Sequence, residues 1–443
     1  MTSGSLRPRQ LAAYGALGMP LTALLLPLAI FLPPYYAQLP ALTTGLVGAL
    51  LFGARLWDLV TDLGVGWASD HTRGRFGRRR PWIVCGTPVL LLGAWALFTP
   101  PQSATWLYLL GWSLVAYLGW SMIMLPYQTW GAELSTDYDE RSKVTAAREI
   151  FAVVGTLVAI ILPNVLMQQG GDTGDGLRAL YGFLLVSLPI CLIALLVGVR
   201  EPAHSSRTRA GLSPREGLRL LGSNRPFRRL LIAYLLNGFA NALPAVLFVF
   251  FVEHRLEATQ AQMGLALVVY FLSAVIGLPI WLRIGRRWSK HRLWCASMLW
   301  VSAVFIFAPL LGPGDLIPYL VICVLGGACL GVDQAIPASM QADVIDEDTA
   351  AGGGGRAGLY FGLWGLATKL AIALGVGLAF PVLELAGFDA RIDNDATALR
   401  TLGLLYGVLP VVIKLCVVPV VWNFPLDRGR HAQLRSRLVT DAG

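Results

Sequence analysis

The sequence predicts an all-α membrane protein with twelve transmembrane helices in two six-helix halves. Of its 443 residues, 56% are hydrophobic and only 14% are charged, so the chain has too few charges to cover a surface that faces water. The apolar residues form blocks of about 20, the length of a membrane-crossing helix, and not the short alternating segments of a barrel. The joints between the blocks alternate in arginine content, as expected for a chain that crosses a membrane repeatedly.

Each predicted helix corresponds to one apolar block. The first block begins after Arg9 and is too long for a cleaved signal peptide, so we expect it to remain as the first helix. The twelve blocks cover residues 11–37, 42–69, 82–100, 104–132, 146–168, 178–199, 229–252, 260–285, 293–312, 316–342, 357–386 and 399–424.

The excess of basic residues predicts the orientation of the chain. The net charge is +9, and most arginines lie in short clusters in every second joint, such as Arg78, Arg79 and Arg80. Because basic joints stay on the cytoplasmic side, we expect both termini in the cytoplasm and the protein in a cytoplasmic (inner) membrane. The clusters are topological signals and do not indicate nucleic-acid binding.

A polar stretch in the middle of the chain separates two halves. We predict an N-terminal six-helix half at residues 1–199, a cytoplasmic linker at 200–228, a C-terminal half at 229–424 and a cytoplasmic tail at 425–443. The joint after the second block, GWASDHTRGRFGRRRPW, is weakly echoed after the eighth by WLRIGRRWSKHRLW. Two related halves around a midplane site are typical of carriers that rock between two states.

The sequence contains no motif of enzymatic chemistry. No lysine follows a glycine, so there is no Walker A loop for ATP, and the five histidines stand singly in joints and tails. The six cysteines lie in or at the edge of apolar blocks without a CxxC pair, as small core residues do. We therefore expect no enzyme, no catalytic residue and no cofactor other than a coupling ion.

Three charged residues lie in the second block with helical spacing. Arg55, Asp58 and Asp62 are at positions i, i+3 and i+7, so they share one helix face. Asp58 precedes the joint at Asp70 by twelve residues, which at about 1.5 Å per residue puts it about 18 Å inside the bilayer. A charge at that depth is costly unless it faces a cavity or a partner. Two carboxylates and one guanidinium leave one net negative charge, which one Na⁺ or one proton would neutralise.

A structural interpretation of the same charges is open. Arg55 and Asp58 could form a packed salt bridge, while Asp62 pairs with a cation from the other half, for which Lys369 in the eleventh block is the natural candidate. We favour an ion-binding site, since the attraction within a buried ion pair rarely offsets the cost of desolvating it.

Other polar residues interrupt the apolar blocks. Asp333 and Gln334 in the tenth block either line a cavity or form hydrogen bonds between helices. The same alternatives hold for Asn237 and Asn241, which are i and i+4 in the seventh block. Lys414 in the twelfth block is expected to snorkel to an interface or to pack between helices.

The fourth block ends in the proline-containing segment SMIMLPYQT. Pro126 frees backbone carbonyls one turn earlier, near the hydroxyl of Ser121, where a cation could find oxygen ligands; a kink that only shapes packing explains the same residues. Tyr127 and Gln128 are candidates for a substrate cavity, and the alternative for the aromatic ring is a lipid or core contact.

Several segments together resemble a known family. RLWDLVTDLGVGWASDHTRGRFGRRRPW at residues 55–82 resembles the helix-2 signature of the glycoside-pentoside-hexuronide:cation symporters, the melibiose-permease-like branch of the major facilitator superfamily. LPYQTWGAELSTDYDERSKVTAARE at 125–149, ADVIDED at 342–348 and Lys369 fall where this family has corresponding features. The resemblance covers nearly the whole chain and implies the major facilitator fold and cation-coupled transport.

The resemblance also implies roles for individual residues. Asp58 and Asp62 match the family's cation-binding carboxylates, and Ser121 matches a hydroxyl that helps to bind the ion. Arg148 matches a cavity arginine, and Lys369 matches the lysine near the carboxylates, which would compete with the cation for them.

Differences from the family bear on the ion and the substrate. Melibiose-type carriers have an acid where this chain has Met124, a second acid near Pro20, and tryptophans where Gln128 and Gln334 stand. Without the first acid, both Na⁺ and H⁺ stay open as the coupling ion, and the loss of both acids argues against an α-galactoside. The carboxylate pair and the lysine are also similar to those of the lysophospholipid symporters of this superfamily branch.

The sequence thus predicts a cation-coupled secondary transporter of an organic solute, with a sugar or glycoside as the provisional substrate. An amphiphile such as a lysophospholipid is the first alternative, since an apolar cavity with one charged cluster would suit it. A non-transporting membrane sensor or scaffold is the second. The expected partners are membrane lipid and a small-molecule substrate, without nucleic acid, and the carrier is expected to act as a monomer.

Overall fold

A helix forms at each of the twelve apolar blocks. The computed structural model describes residues 7–72, 76–134, 138–168, 172–201, 219, 222, 224–285, 288–350 and 357–425, and these ranges contain no β-strand. The long helices are α1 (Pro8–Ala37), α2 (Thr44–His71), α3 (Arg80–Phe98), α4 (Trp106–Glu133), α5 (Tyr138–Gln168), α6 (Thr173–Gly198), α7 (Arg225–Arg255), α8 (Gln260–Ile284), α9 (Lys290–Leu310), α10 (Leu316–Ala350), α11 (Ala357–Leu385) and α12 (Ala396–Trp422). The predicted all-helical fold class is therefore confirmed.

The helices match a multi-pass membrane protein. Ten of those described are long and apolar enough to cross a membrane, and α2 and α5 are outside that group. α2 carries the charged residues Arg55, Asp58 and Asp62, and α5 carries Arg148. Large apolar side chains such as Leu272 remain exposed along the helices, as expected for surfaces that contact lipid.

Two helices extend well beyond their apolar blocks. α5 begins at Tyr138 and α10 continues to Ala350, whereas hydropathy places these ends near residues 146 and 342. A helix satisfies its own backbone hydrogen bonds in lipid and in water alike, so it has no need to end where the apolar sequence ends. Hydropathy therefore predicts where a helix leaves the membrane, but it does not predict the residue at which the helix ends.

Four helices are irregular. Wide π-helical turns occur at Pro27–Phe31 in α1, Phe251–Arg255 in α7 and Leu404–Val408 in α12, and a 3₁₀ turn, Ala308–Leu310, ends α9. Such turns release backbone groups from the regular ladder and are frequent at functional sites.

The chain divides into two compact units. The first contains Met1–Gly211 together with Asp389–Ile392, and the second contains Leu212–Phe388 together with Asp393–Gly443. The first unit holds α1 to α6 and the second holds α7 to α12. Within the predicted linker and tail, residues 202–218 and 426–443 lie outside the described residues.

The helix pairings within the first unit are repeated within the second. In the first unit, α1 packs on α5 and α6, α2 packs on α4, and α3 packs on α4 and α6. In the second unit, α7 packs on α11 and α12, α8 packs on α10, and α9 packs on α10 and α12. Each pairing recurs six helices later, which agrees with the weak sequence echo between the halves.

The GRRRP motif starts α3 and binds a carboxylate from the end of α6. Glu201 accepts hydrogen bonds from the backbone N–H groups of Arg78 (2.8 Å) and Arg79 (2.7 Å). The guanidinium of Arg80 donates back to the carbonyl of Val199 at 2.8 Å. Gly77 has φ +95°, and a side chain at this position would collide with the Glu201 carboxylate. The motif therefore ties the start of α3 to the end of α6 within the first unit.

Candidate functional site

The two acids of α2 meet a hydroxyl of α4 inside the first unit. The Ser121 hydroxyl lies 2.7 Å from a carboxylate oxygen of Asp62 and 3.2 Å from one of Asp58. Asp58 is 1% exposed and Ser121 is 0% exposed. The packing of α2 against α4 brings the three side chains together, so this group of oxygens is called the acidic cluster below.

A serine hydroxyl has one hydrogen, although two carboxyl groups lie within hydrogen-bonding distance of this one. Ser121 can donate to one of them at a time. Contact with the other carboxyl is favourable when that carboxyl carries a proton, or when a cation lies between the oxygens, because two neighbouring carboxylates disfavour each other's charged form. The geometry therefore suits the addition of one positive charge.

Thr61 belongs to the same cluster, and the sequence analysis missed it. Its hydroxyl lies 3.1 Å from the Ser121 hydroxyl and donates to the backbone carbonyl of Asp58 at 3.0 Å. The signal was present, since Thr61 lies three residues after Asp58 and therefore one helical turn further along α2. The cluster thus offers hydroxyl and carboxylate oxygens, the ligand type that hard cations prefer.

Arg55, the third charge on α2, contacts an aromatic ring of α4. Its guanidinium carbon lies 4.8 Å from the centroid of the Tyr117 ring, a distance typical of a cation–π interaction. Arg55 is 8% exposed. The ring thus stabilises one buried positive charge one turn before Asp58.

Tyr127, a candidate for the substrate cavity, is buried against Tyr14 of α1 in this structure. Its side chain is 0% exposed, its hydroxyl donates to the backbone carbonyl of Tyr14 at 2.8 Å, and the Tyr14 hydroxyl donates to the carbonyl of Tyr127 at 3.2 Å. The two rings stack with centroids 4.6 Å apart. This reciprocal pair joins α1 to α4 and uses the polar atoms of both tyrosines.

The other candidate residues of the first unit are more accessible. Gln128 is exposed at the surface of α4. The Arg148 guanidinium, on α5, forms an ion pair with Glu149 at 2.7 Å, and its side chain is 26% exposed. These two side chains are accessible to a solute, unlike the neighbouring Tyr127.

In the second unit, Asp333 lies at the centre of a buried network of hydrogen-bond donors. One carboxylate oxygen accepts from Asn237 at 3.0 Å and from the indole of Trp294 at 2.7 Å. The other accepts from Asn241 at 2.7 Å and lies 3.4 Å from the Lys414 ammonium. Donors from α7, α9 and α12 thus converge on one carboxylate of α10, which we call the Asp333 network.

The network shows what these polar residues contact. The Lys414 ammonium donates to the Asn237 carbonyl oxygen at 2.7 Å, and the side chains of Lys414 and Asp333 are 6% and 8% exposed. Asn237, Asn241 and Asp333 form hydrogen bonds between helices, and Asn241 also lines a small cavity. Lys414 packs between helices and does not snorkel to an interface, because its charge is compensated inside the unit. Trp294, the fourth donor, was not predicted from sequence, because no local pattern links an indole to a carboxylate 39 residues away.

The acidic cluster and the Asp333 network differ in charge. Four donors, one of them cationic, satisfy the two carboxylate oxygens of Asp333. The acidic cluster instead holds two carboxyl groups beside the Ser121 hydroxyl, so an added cation would reduce their mutual repulsion. The acidic cluster is therefore the candidate for an exchangeable cation.

Two predicted site residues lie elsewhere in the second unit. Lys369 is partly buried in α11, and the preceding Thr368 bonds to the Tyr234 hydroxyl at 3.0 Å. Gln334 is exposed on α10. Across the described part of the chain, no group of three or more His, Cys, Asp or Glu side chains could hold a metal ion, so a cation at the acidic cluster would depend on hydroxyl ligands as well.

The fold and these buried charges define the chain as a carrier-type membrane protein, and comparison with known proteins gives its family. A family model described as "MFS/sugar transport protein" matches residues 13–428. The chain therefore belongs to this family of the major facilitator superfamily.

Individual relatives agree with this family. An uncharacterized symporter of Synechocystis sp. is 24% identical over 96% of this chain and 95% of its own length. The human sodium-dependent lysophosphatidylcholine symporter 1 is 25% identical over 88% of this chain and 78% of its own. A solved bacterial homologue of the human lysosomal transporter Spinster has a TM-score of 0.67 at 12% identity, with 99% of both chains covered. This structural similarity supports the assigned fold.

Proposed function

We propose that this protein is a secondary active transporter that couples entry of one monovalent cation to movement of an organic solute by alternating access. The observation that carries the proposal is the acidic cluster, where the carboxyl groups of buried Asp58 and partly buried Asp62 meet the hydroxyl of Ser121. Acidic side chains within membrane-spanning helices are costly, and they commonly mark ion pathways. Family membership and the symporter relatives support the same function.

The cation would act through charge. With the site empty, two carboxyl groups of like charge lie close together, which disfavours enclosure in a low-dielectric interior. A bound Na⁺ or proton removes that charge, so the state that encloses the solute becomes accessible. Coupling then follows because the two states bind the cation with different affinity.

We propose an amphiphile of the lysophospholipid class as the solute. The relatives include sodium-dependent lysophosphatidylcholine symporters from several vertebrates. In addition, the hydroxyls of Tyr14 and Tyr127 are occupied by each other's backbone, so the first unit has fewer free donors for the many hydroxyls of a sugar. A sugar is the second candidate, since the matched family is described by sugar transport.

We further propose a location in the cytoplasmic membrane with both termini on the cytoplasmic side. The alternation of arginine-rich joints supports this orientation. A single cysteine introduced at either end of the chain would test this orientation. In intact cells it should react only with a thiol reagent that crosses the membrane.

Uptake into proteoliposomes tests the function. Purified protein is reconstituted, and uptake of a labelled lysophosphatidylcholine and of a labelled disaccharide is measured under a Na⁺ gradient and under a proton gradient separately. We expect lysophosphatidylcholine uptake driven by one gradient and abolished by Asp58→Asn or Asp62→Asn. Asp175→Asn is the matched control, because Asp175 is an acid paired at the exposed start of α6, and it should transport normally.

Other results would change the proposal in defined ways. Gradient-driven uptake of the disaccharide alone would replace the amphiphile by the sugar. Uptake that survives both acid substitutions would remove the acidic cluster from coupling. If the protein remains folded but transports neither solute under either gradient, the result supports a sensor or scaffold and contradicts transport of these two solutes.

A further inference from the structure

A small cavity adjoins the Asp333 network inside the second unit. Its volume is about 40 Å³, and residues of α7, α8, α9 and α12 line it. The polar ones are Asn241, Tyr270, Ser302 and Lys414. A cavity needs about 10–15 Å³ to hold one water molecule, so there is room here for about two.

Ser302 is the most informative residue of the cavity wall. It is 4% exposed, and its hydroxyl has no hydrogen-bond partner among the described residues. A buried hydroxyl without a partner is costly, and most such groups in folded proteins bind an ordered water. Ser302 also lines the cavity, which is large enough to hold a water.

Lys414 has one hydrogen-bond donor more than its protein contacts use. An ammonium group has three N–H bonds. One is directed to Asn237 at 2.7 Å and a second to Asp333 at 3.4 Å. Because Lys414 also lines the cavity, its third N–H can be satisfied by an acceptor located there.

The backbone of α7 contributes a further acceptor. Pro244 lacks an N–H, so it cannot donate the helical hydrogen bond to the carbonyl of Ala240 four residues earlier. Both residues line the cavity. A water in the cavity could therefore accept from Lys414 and donate to Ser302 and to Ala240, which gives it the three partners that buried waters usually have.

We propose that this cavity is a water-binding site, and that the bound water completes the hydrogen bonding of Lys414 and replaces the main-chain bond lost at Pro244. The site extends the Asp333 network to Ser302 on α9. It lies within the second unit, does not depend on the acidic cluster, and would exist whether or not the protein transports the proposed solute.

A structure at a resolution that shows ordered water tests the site directly. The wild-type protein in lipid nanodiscs should show density within hydrogen-bonding distance of the Ser302 hydroxyl and the Lys414 ammonium. A map that resolves other interior waters but shows none in this cavity would overturn the proposal.

A matched pair of serine variants gives an independent measurement. Ser113 is also a buried serine whose hydroxyl has no partner in the described chain, but it does not line the cavity. Ser302→Ala removes a hydroxyl bonded to water and should lower Tm by about 1–2 °C. Ser113→Ala removes a hydroxyl without a partner and should leave Tm unchanged or raise it. If Ser302→Ala matches or exceeds the Tm of Ser113→Ala, the cavity is dry and the proposal fails.

Discussion

The hydroxyl of Ser121 on α4 lies 2.7 Å from a carboxylate oxygen of Asp62 on α2. This distance is typical of a charge-assisted hydrogen bond. The bond connects two helices that pack along their length within the first unit. It places an oxygen of α4 beside the membrane acids of α2, so cation binding at the acidic cluster and the position of α4 are expected to affect each other.

Removal of the Ser121 hydroxyl should weaken cation binding. We expect Ser121→Ala to raise the cation concentration for half-maximal uptake by about tenfold, because groups that orient ligands commonly contribute this much to affinity. Ser121→Thr keeps the hydroxyl and should stay near the wild-type value. Ser113→Ala, a buried serine outside the cluster, is the control. An unchanged cation dependence in Ser121→Ala would exclude the hydroxyl from the site.

The ion pair of Lys414 and Asp333 should matter for stability. Lys414→Met leaves the Asp333 carboxylate buried without its cation, which typically costs about 3–5 kcal/mol. Arg178→Met is the control, because both side chains of its 2.6 Å pair with Asp175 are exposed, at 55% and 47%, and exposed pairs contribute about 0–1 kcal/mol. Thermal unfolding in detergent measures the loss of stability in both variants.

A double variant separates charge from packing at this pair. Lys414→Met combined with Asp333→Asn removes both charges, so it should recover a large part of the stability that Lys414→Met loses. The single variant Asp333→Asn is measured as well. If its destabilisation and that of Lys414→Met simply add in the double variant, the two side chains are not coupled, and the ion pair does not explain the lower stability of Lys414→Met.

The carboxylate of Glu201 should stabilise the start of α3. Glu201→Gln keeps the shape but replaces one acceptor oxygen by a donor amide, and we expect a loss of about 1–2 kcal/mol, since an anion beside backbone N–H groups at a helix start is favourable. Gly77→Ala should cost at least as much, because the added methyl meets the Glu201 carboxylate and φ is +95°. Unfolding midpoints of the two variants test this, and wild-type values for both would contradict it.

Tyr127 and Gln128 should behave differently although they are adjacent. Tyr127→Phe loses a buried hydrogen bond to the Tyr14 carbonyl, so we expect a lower unfolding temperature, by about 1–2 °C, and an unchanged KM for the solute. Gln128 is exposed, so Gln128→Ala should leave stability unchanged, and KM should rise if the amide contacts the solute. A changed KM with unchanged stability in Tyr127→Phe would return Tyr127 to the cavity wall.

The sequence was sufficient for the helices and for the acids of α2. Long apolar blocks must form helices in lipid because every backbone group has to be satisfied within the segment, and the spacing of Asp58 and Asp62 fixes their shared face. Hydropathy did not show where α5 begins or where α10 ends, since a helix can continue into water.

Contacts between helices depended on tertiary structure. Ser121 and Thr61 are 60 positions apart and Lys414 and Asn237 are 177 apart, and no local rule selects such partners. The contact of Tyr127 could not be predicted for the same reason. Its hydroxyl donates to the backbone carbonyl of Tyr14 on α1, 113 positions away. Local sequence determines which residues are apolar or charged in the membrane, and packing decides which groups of other helices surround each charge, because those contacts join residues far apart in the chain.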